Sequence, residues 1–118
     1  MNIEQIRDFC LSKNGVTESF PFDEHTLVFK VMGKMYALIA LERVPFQVNL
    51  KCDPERAVAL REEYDGVIIP GYHMSKTHWN TIYVEQLPPH FIKELINHSY
   101  QLVVEKLPKK TKEELSRL

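Results

Sequence analysis

Ten consecutive residues, Gly71-Tyr72-His73-Met74-Ser75-Lys76-Thr77-His78-Trp79-Asn80, concentrate side chains able to recognise a ligand. They include the one tryptophan, two of the five histidines, a lysine and an asparagine, and no Asp or Glu occurs from Gly71 to Val84. Lys, Asn and His must stay solvated or find partners, whereas Trp favours burial. The mixture reads as a recognition surface, with donors for phosphates or base edges and an aromatic face for stacking. The competing reading makes Trp79 a plug at the sheet edge, its indole N–H satisfied by backbone.

Other chemistries find less support. His73 and His78 have no Cys, Asp or Glu in their own segment, so a metal would need distant ligands, and none is expected. There is no nucleophile elbow, no phosphate-cradling glycine loop and no paired-carboxylate pattern, so no catalytic residue and no cofactor is expected. Cys52 follows Lys51, which would lower a thiol pKa, but it alternates with Phe46, Val48 and Leu50 and so reads as an inward core residue. Leu87-Pro88-Pro89 precedes a helical stripe and reads as a helix start rather than a proline-rich ligand. The Lys109-Lys110-Thr111-Lys112 run reads as a solvated, frayed terminus.

At 118 residues with 44% apolar and 26% charged side chains, the chain is expected to form one globular domain spanning 1–118. No apolar run reaches membrane-spanning length and the amino terminus lacks a signal-peptide pattern, so a cytoplasmic protein without membrane contact is expected. Cys10 and Cys52 are expected to be reduced thiols. The net charge of −1 projects no global positive field. Charge is instead segregated: Lys30, Lys34, Arg43 and Lys51 face one acid, Glu42, between Thr26 and Cys52, and five basic residues follow from Lys106. A local basic face can therefore exist on a neutral chain.

The elements that must position these residues follow from periodicity. Asn2 with Gln5 caps a first helix that carries Ile3, Ile6 and Cys10 on one face and stops at Gly15. Val16 to Glu24 reads as irregular. Thr26–Val31 alternates as a strand, Met32-Gly33-Lys34 is a tight connection, and Met35–Leu41 is an apolar central strand. Phe46–Cys52 alternates most cleanly, setting Gln47, Asn49 and Lys51 opposite the apolar set. Asp53-Pro54-Glu55 starts a helix expected to reach Tyr64. A loop through Pro70-Gly71 leads to a last strand, His78–Val84. Pro88-Pro89 opens a long helix bearing Phe91, Ile92, Leu95, Ile96, Ser99, Leu102 and Val103 on one stripe, and Thr111 with Glu114 caps a short terminal helix.

Short turns between strands imply an α+β fold of two layers, with an antiparallel sheet of about four to five strands and helices on one face. The other face would display Gln47, Asn49 and Lys51; if Lys30 and Trp79 share it, alternation adds Thr81 and Tyr83.

Several blocks together resemble the MmcQ/YjbR family of small bacterial proteins. They are Gly15-Val16-Thr17-Glu18-Ser19-Phe20-Pro21-Phe22, Phe29-Lys30-Val31 with Gly33-Lys34-Met35, Asn49-Leu50-Lys51-Cys52-Asp53-Pro54, Gly71-Tyr72-His73-Met74 through His78-Trp79-Asn80, and Ser99-Tyr100 with Leu102-Val103. The match runs in order over nearly the whole chain. It implies a fold like that of frataxin-type (CyaY-like) and secretion-chaperone-like domains, and a DNA-binding role through a "double wing" arrangement. Ser75 and Thr77 depart from the family pattern, standing where Asn and Lys are common.

The resulting expectation is a non-enzymatic DNA-binding protein of low sequence specificity. Lys30, Lys34, Lys51 and Lys76 would neutralise phosphates; Asn49, His73, His78 and Asn80 would hydrogen-bond backbone or base edges; Tyr72 and Trp79 would stack. The alternative is a protein- or peptide-binding, chaperone-like module using the same aromatic face.

Overall fold

A computed structural model describes residues 1–71 and 74–118. Tyr72 and His73, both expected in the binding face, lie outside the described residues. Helix α1 (Ile3–Leu11) begins with a reciprocal cap: Asn2 Oδ1 accepts the Gln5 N–H at 2.8 Å and Gln5 Oε1 accepts the Asn2 N–H at 2.9 Å. Gly15, at φ 74°, then turns the chain into β1 (Val16–Ser19), a strand where irregular chain was expected. β1 is a four-residue edge strand paired with β2 (Thr26–Val31) alone, and its apolar alternation is too short to stand out beside Phe20-Pro21.

β2 runs into β3 (Lys34–Ala40) through Met32-Gly33, both at positive φ (48° and 84°), the geometry a two-residue hairpin needs. The β2–β3 register shifts between Phe29↔Ala37 and Lys30↔Met35, which makes Tyr36 the extra residue of a bulge. Next come β4 (Gln47–Lys51) and α2 (Pro54–Glu63), where the Asp53 carboxylate accepts the Arg56 N–H at 3.2 Å. β5 (Ile68–Pro70), β6 (Trp79–Tyr83), a 3-10 turn at Val84–Gln86, α3 (Pro89–Glu105) and α4 (Lys109–Ser116) complete the chain. α4 begins two residues ahead of the expected Thr111 cap, behind Pro108 and without a side-chain cap. It is also docked rather than frayed: Leu115 is buried and its carbonyl accepts from Asn14 Nδ2 at 3.2 Å.

The strands form one antiparallel sheet in the order β1-β2-β3-β4-β6-β5, two edge strands making six where four or five were expected. One face carries Leu27, Phe29, Val31, Val48, Leu50 and Ile82 against the helices, with Ile6, Ala57, Leu60, Ile92 and Ile96 closing the core. Leu50 and Cys52 are buried while Asn49 and Lys51 are half-exposed, so the register of β4 is the one its alternation predicts. Among the described residues no helix is long and apolar enough to cross a membrane.

Candidate functional site

The sheet face turned away from the helices is set by register. Thr26, Val28 and Lys30 on β2 lie across from Ala40, Leu38 and Met35 on β3; Leu38 lies across from Asn49 on β4; Gln47, Asn49 and Lys51 lie across from Tyr83, Thr81 and Trp79 on β6. Lys30 and Trp79 therefore do share this face, and Thr81 and Tyr83 join them.

Its centre is apolar. Val28, Leu38 and Trp79 form a small second core, with Met35 and Met74 packed against it. Trp79 is only 8% exposed, so the open stacking platform expected from its polar neighbours is not what the structure contains. The loop before β6 folds its Met74 over the ring. Gly71 makes the close approach possible: its N–H donates to the Trp79 carbonyl at 2.9 Å, and an added Cβ would lie 2.8 Å from the Trp79 Cβ.

Asn80, one residue on, points the other way. It is 1% exposed; its Oδ1 accepts from Arg61 Nε at 2.6 Å and its Nδ2 donates to the Ala57 carbonyl at 3.5 Å. Asn80 is thus a buried tie between β6 and α2, unable to reach a ligand on the open face. Arg61 also donates through Nη2 to the Lys76 carbonyl, fixing the backbone of an exposed lysine. His78 is half-buried, and its backbone is engaged by Cys52 N–H at 2.8 Å and Ser75 C=O at 3.2 Å. Asn49 stays on the open face, where its Oδ1 accepts the Thr81 hydroxyl.

Lys34, Lys51 and Lys106 converge at one end of the sheet. Together with Met35, the edge of Trp79 and the end of α3 they line a cleft of about 260 Å³ without a carboxylate among its described walls. Burial pulls the Lys51 ammonium below the ordinary lysine range, and the charge of Lys106 adds to the effect. Lys30 lies across from Met35 but is not among the residues lining this cleft. Lys76 is not among its lining residues. Lys106 was not foreseen as a site residue; its signal was the basic run that starts with it, discounted because the terminus looked unanchored.

Ser99 positions Lys51. Fully buried on α3, its hydroxyl accepts the Lys51 N–H at 2.9 Å and donates to the Tyr36 carbonyl at 2.5 Å. It thereby satisfies one backbone group on each of β3 and β4 just beyond their last pair, Ala37↔Leu50. Burial raises the Cys52 thiol pKa and pushes that of Cys10 up to about 12, so both are poor nucleophiles. Among the described residues no three of His, Cys, Asp and Glu gather as a metal centre would require.

Comparison with known proteins adds kinship. The family model described as YjbR matches residues 11–102. The chain is 33% identical over 120 residues to YjbR of Escherichia coli strain K12, covering all of both chains, and 41% identical over 93 residues to YbdF of Escherichia coli O157:H7, covering 77% of this chain and 75% of that one. The crystal structure of DR2400 from Deinococcus radiodurans, with family domain DUF419, superposes with a TM-score of 0.91 at 39% identity, over 98% of this chain and 88% of that one. None of these names carries an enzymatic activity.

Proposed function

The chain belongs to the YjbR family, and from that premise we infer that it is a cytoplasmic, non-enzymatic, single-domain protein that binds nucleic acid. The observation supporting this reading is the cleft walled by Lys34, Lys51 and Lys106, with no acid among its described walls and Lys30 across from its Met35. Three lysines lining one cleft on a chain of net charge −1 suit a polyanion. Phosphates are the fitting partner, and contacts of this kind carry little sequence information. The double-wing use implied by the resemblance belongs to this reading: the β2–β3 hairpin, which bears Lys30 and Lys34, would be one wing.

The test is a titration of a fluorescent duplex at several salt concentrations. Three to four phosphate contacts give a log–log slope of about −3 to −4, and Lys51→Ala or Lys106→Ala should each flatten it by about one. No binding at low salt, or a slope that neither substitution changes, rejects the reading. A second reading, a protein-binding face, draws on Phe20 (49% exposed) and Phe22 (64%) on the β1–β2 connection. Association through those rings would respond weakly to salt.

A further inference from the structure

At the other end of the open face lies a second cleft, of about 430 Å³, whose chemistry differs from that of the lysine cleft. Leu38 and Ala40 form an apolar floor, and Phe22 and Met74 supply apolar walls. Two carboxamides, Gln47 and Asn49, line it from β4, and Arg43 stands at its rim. Gln47 is the unusual member. Its residue is only 5% exposed, yet its side-chain amide makes no hydrogen bond among the described residues. Since no fully buried side-chain nitrogen or oxygen lacks a partner, this amide keeps its access to solvent, and the cleft it lines is the route. Open to solvent through the cleft, the amide is hydrated in the free protein and available to a ligand that replaces that water. Asn49 is half used: its Oδ1 accepts the Thr81 hydroxyl, while its Nδ2 has no acceptor among the described residues.

We propose that this cleft is a subsite for a nucleobase, in which the Gln47 amide, a donor and an acceptor side by side, reads the lactam edge of an unpaired base. Carboxamides make paired contacts of this type to base edges. The Asn49 Nδ2 supplies a further donor toward a ring carbonyl, and the exposed Phe22 ring supplies a stacking surface. Asp23 and Thr26 complete the described lining; the Asp23 carboxylate is engaged by the His25 and Thr26 N–H groups at 2.8 and 2.7 Å, and the apolar floor suits a flat ring. Gln47 and Lys51 stand about 13 Å apart along β4, four residues of extended strand. One nucleic-acid strand lying along β4 would thus meet phosphate-binding and base-binding chemistry together, and a base locked in a duplex would not enter the cleft. For the polymer the proposal rests on the nucleic-acid reading above; for a free nucleoside it does not.

The experiment compares three fluorescent probes of equal length: oligothymidylate, an abasic phosphodiester strand and a duplex. Each is titrated against wild type, Gln47→Leu, Gln47→Glu and Lys51→Ala, with thermal melts as the folding control. Wild type should bind oligothymidylate about five- to tenfold more tightly than the abasic strand. Both Gln47 variants should remove that preference; Gln47→Leu should leave abasic and duplex binding and the salt slope unchanged, whereas the added charge of Gln47→Glu should weaken all three probes. Lys51→Ala should weaken all three probes together. Equal wild-type affinity for the oligothymidylate and abasic strands, or a preference that survives in a folded Gln47 variant, overturns the subsite. If no polymer binds at all, the nucleic-acid reading fails separately, and thymidine is titrated while the Asn49 side-chain amide resonance is followed. Shifts lost in Gln47→Glu then sustain the base subsite, and no shift rejects it.

Discussion

The hydroxyl of Ser99 accepts the backbone N–H of Lys51 at 2.9 Å, joining the buried face of α3 to the strand end that carries the lysine cleft. The same hydroxyl donates to the Tyr36 carbonyl, so one side chain ties β3 to β4 just beyond Ala37↔Leu50, where their pairing ends. Ser99→Ala would leave both backbone groups without that partner, and a loss of about 1–3 kcal/mol of stability is expected. Denaturant melts measure it. If Ser99 also positions Lys51, the variant's duplex affinity should fall under conditions where it remains folded.

Trp79 is expected to behave as a core residue. Trp79→Ala should cost about 3–5 kcal/mol, the usual consequence of emptying a buried aromatic site. A loss below 1 kcal/mol, paired with a clear binding defect, would return the ring to a recognition role.

Asn80 and Arg61 should act as a pair. Asn80→Leu removes the acceptor from the Arg61 Nε, and breaking a bond to a charged donor should cost about 1.5–3 kcal/mol. A double-mutant cycle with Arg61→Ala checks it: the two losses should be markedly less than additive. Additive losses would show that the side chains act independently.

Acid should weaken the fold through His98. Its Nε2 accepts the Asp53 N–H at 3.2 Å, which requires the neutral ring. Burial lowers its pKa, the charge of Arg56 lowers it further, and Asp53, Glu94 and Glu105 oppose the shift. The unfolded chain therefore takes up this proton first, near pH 6.5, and stability falls as pH drops from there until the folded His98 is itself protonated. Melting temperatures from pH 7.5 to 5 should decline more steeply for wild type than for His98→Gln, which retains an acceptor but does not titrate. Parallel declines would remove His98 as the cause.

Much of this architecture was legible in local patterns. The Asn2–Gln5 box, the Asp53-Pro54 helix start, the tight Met32-Gly33 turn and the inward set of Leu50 and Cys52 depend on neighbours in sequence, where capping and alternation operate. β1 and β5 were not legible, because short edge strands take their identity from the partner they pair with rather than from their own period. The start of α4 was displaced for a related reason: the buried Leu115 anchors the helix, and that contact lies far away in sequence.

For the site, alternation by itself determined that Gln47, Asn49 and Lys51 share the face opposite the core, since a strand's period of two leaves no other choice. Residue types alone determined that the Gly71–Asn80 segment is free of acids and rich in hydrogen-bonding groups. Only the tertiary structure decided what those groups do. Packing against Val28 and Leu38 buried Trp79, and an arginine nineteen residues earlier claimed Asn80. The end of α3 brought Lys106 to Lys34 and Lys51, residues far apart in the chain. Burial and charge proximity are sums over neighbours from distant segments, and sequence spacing carries no term for them.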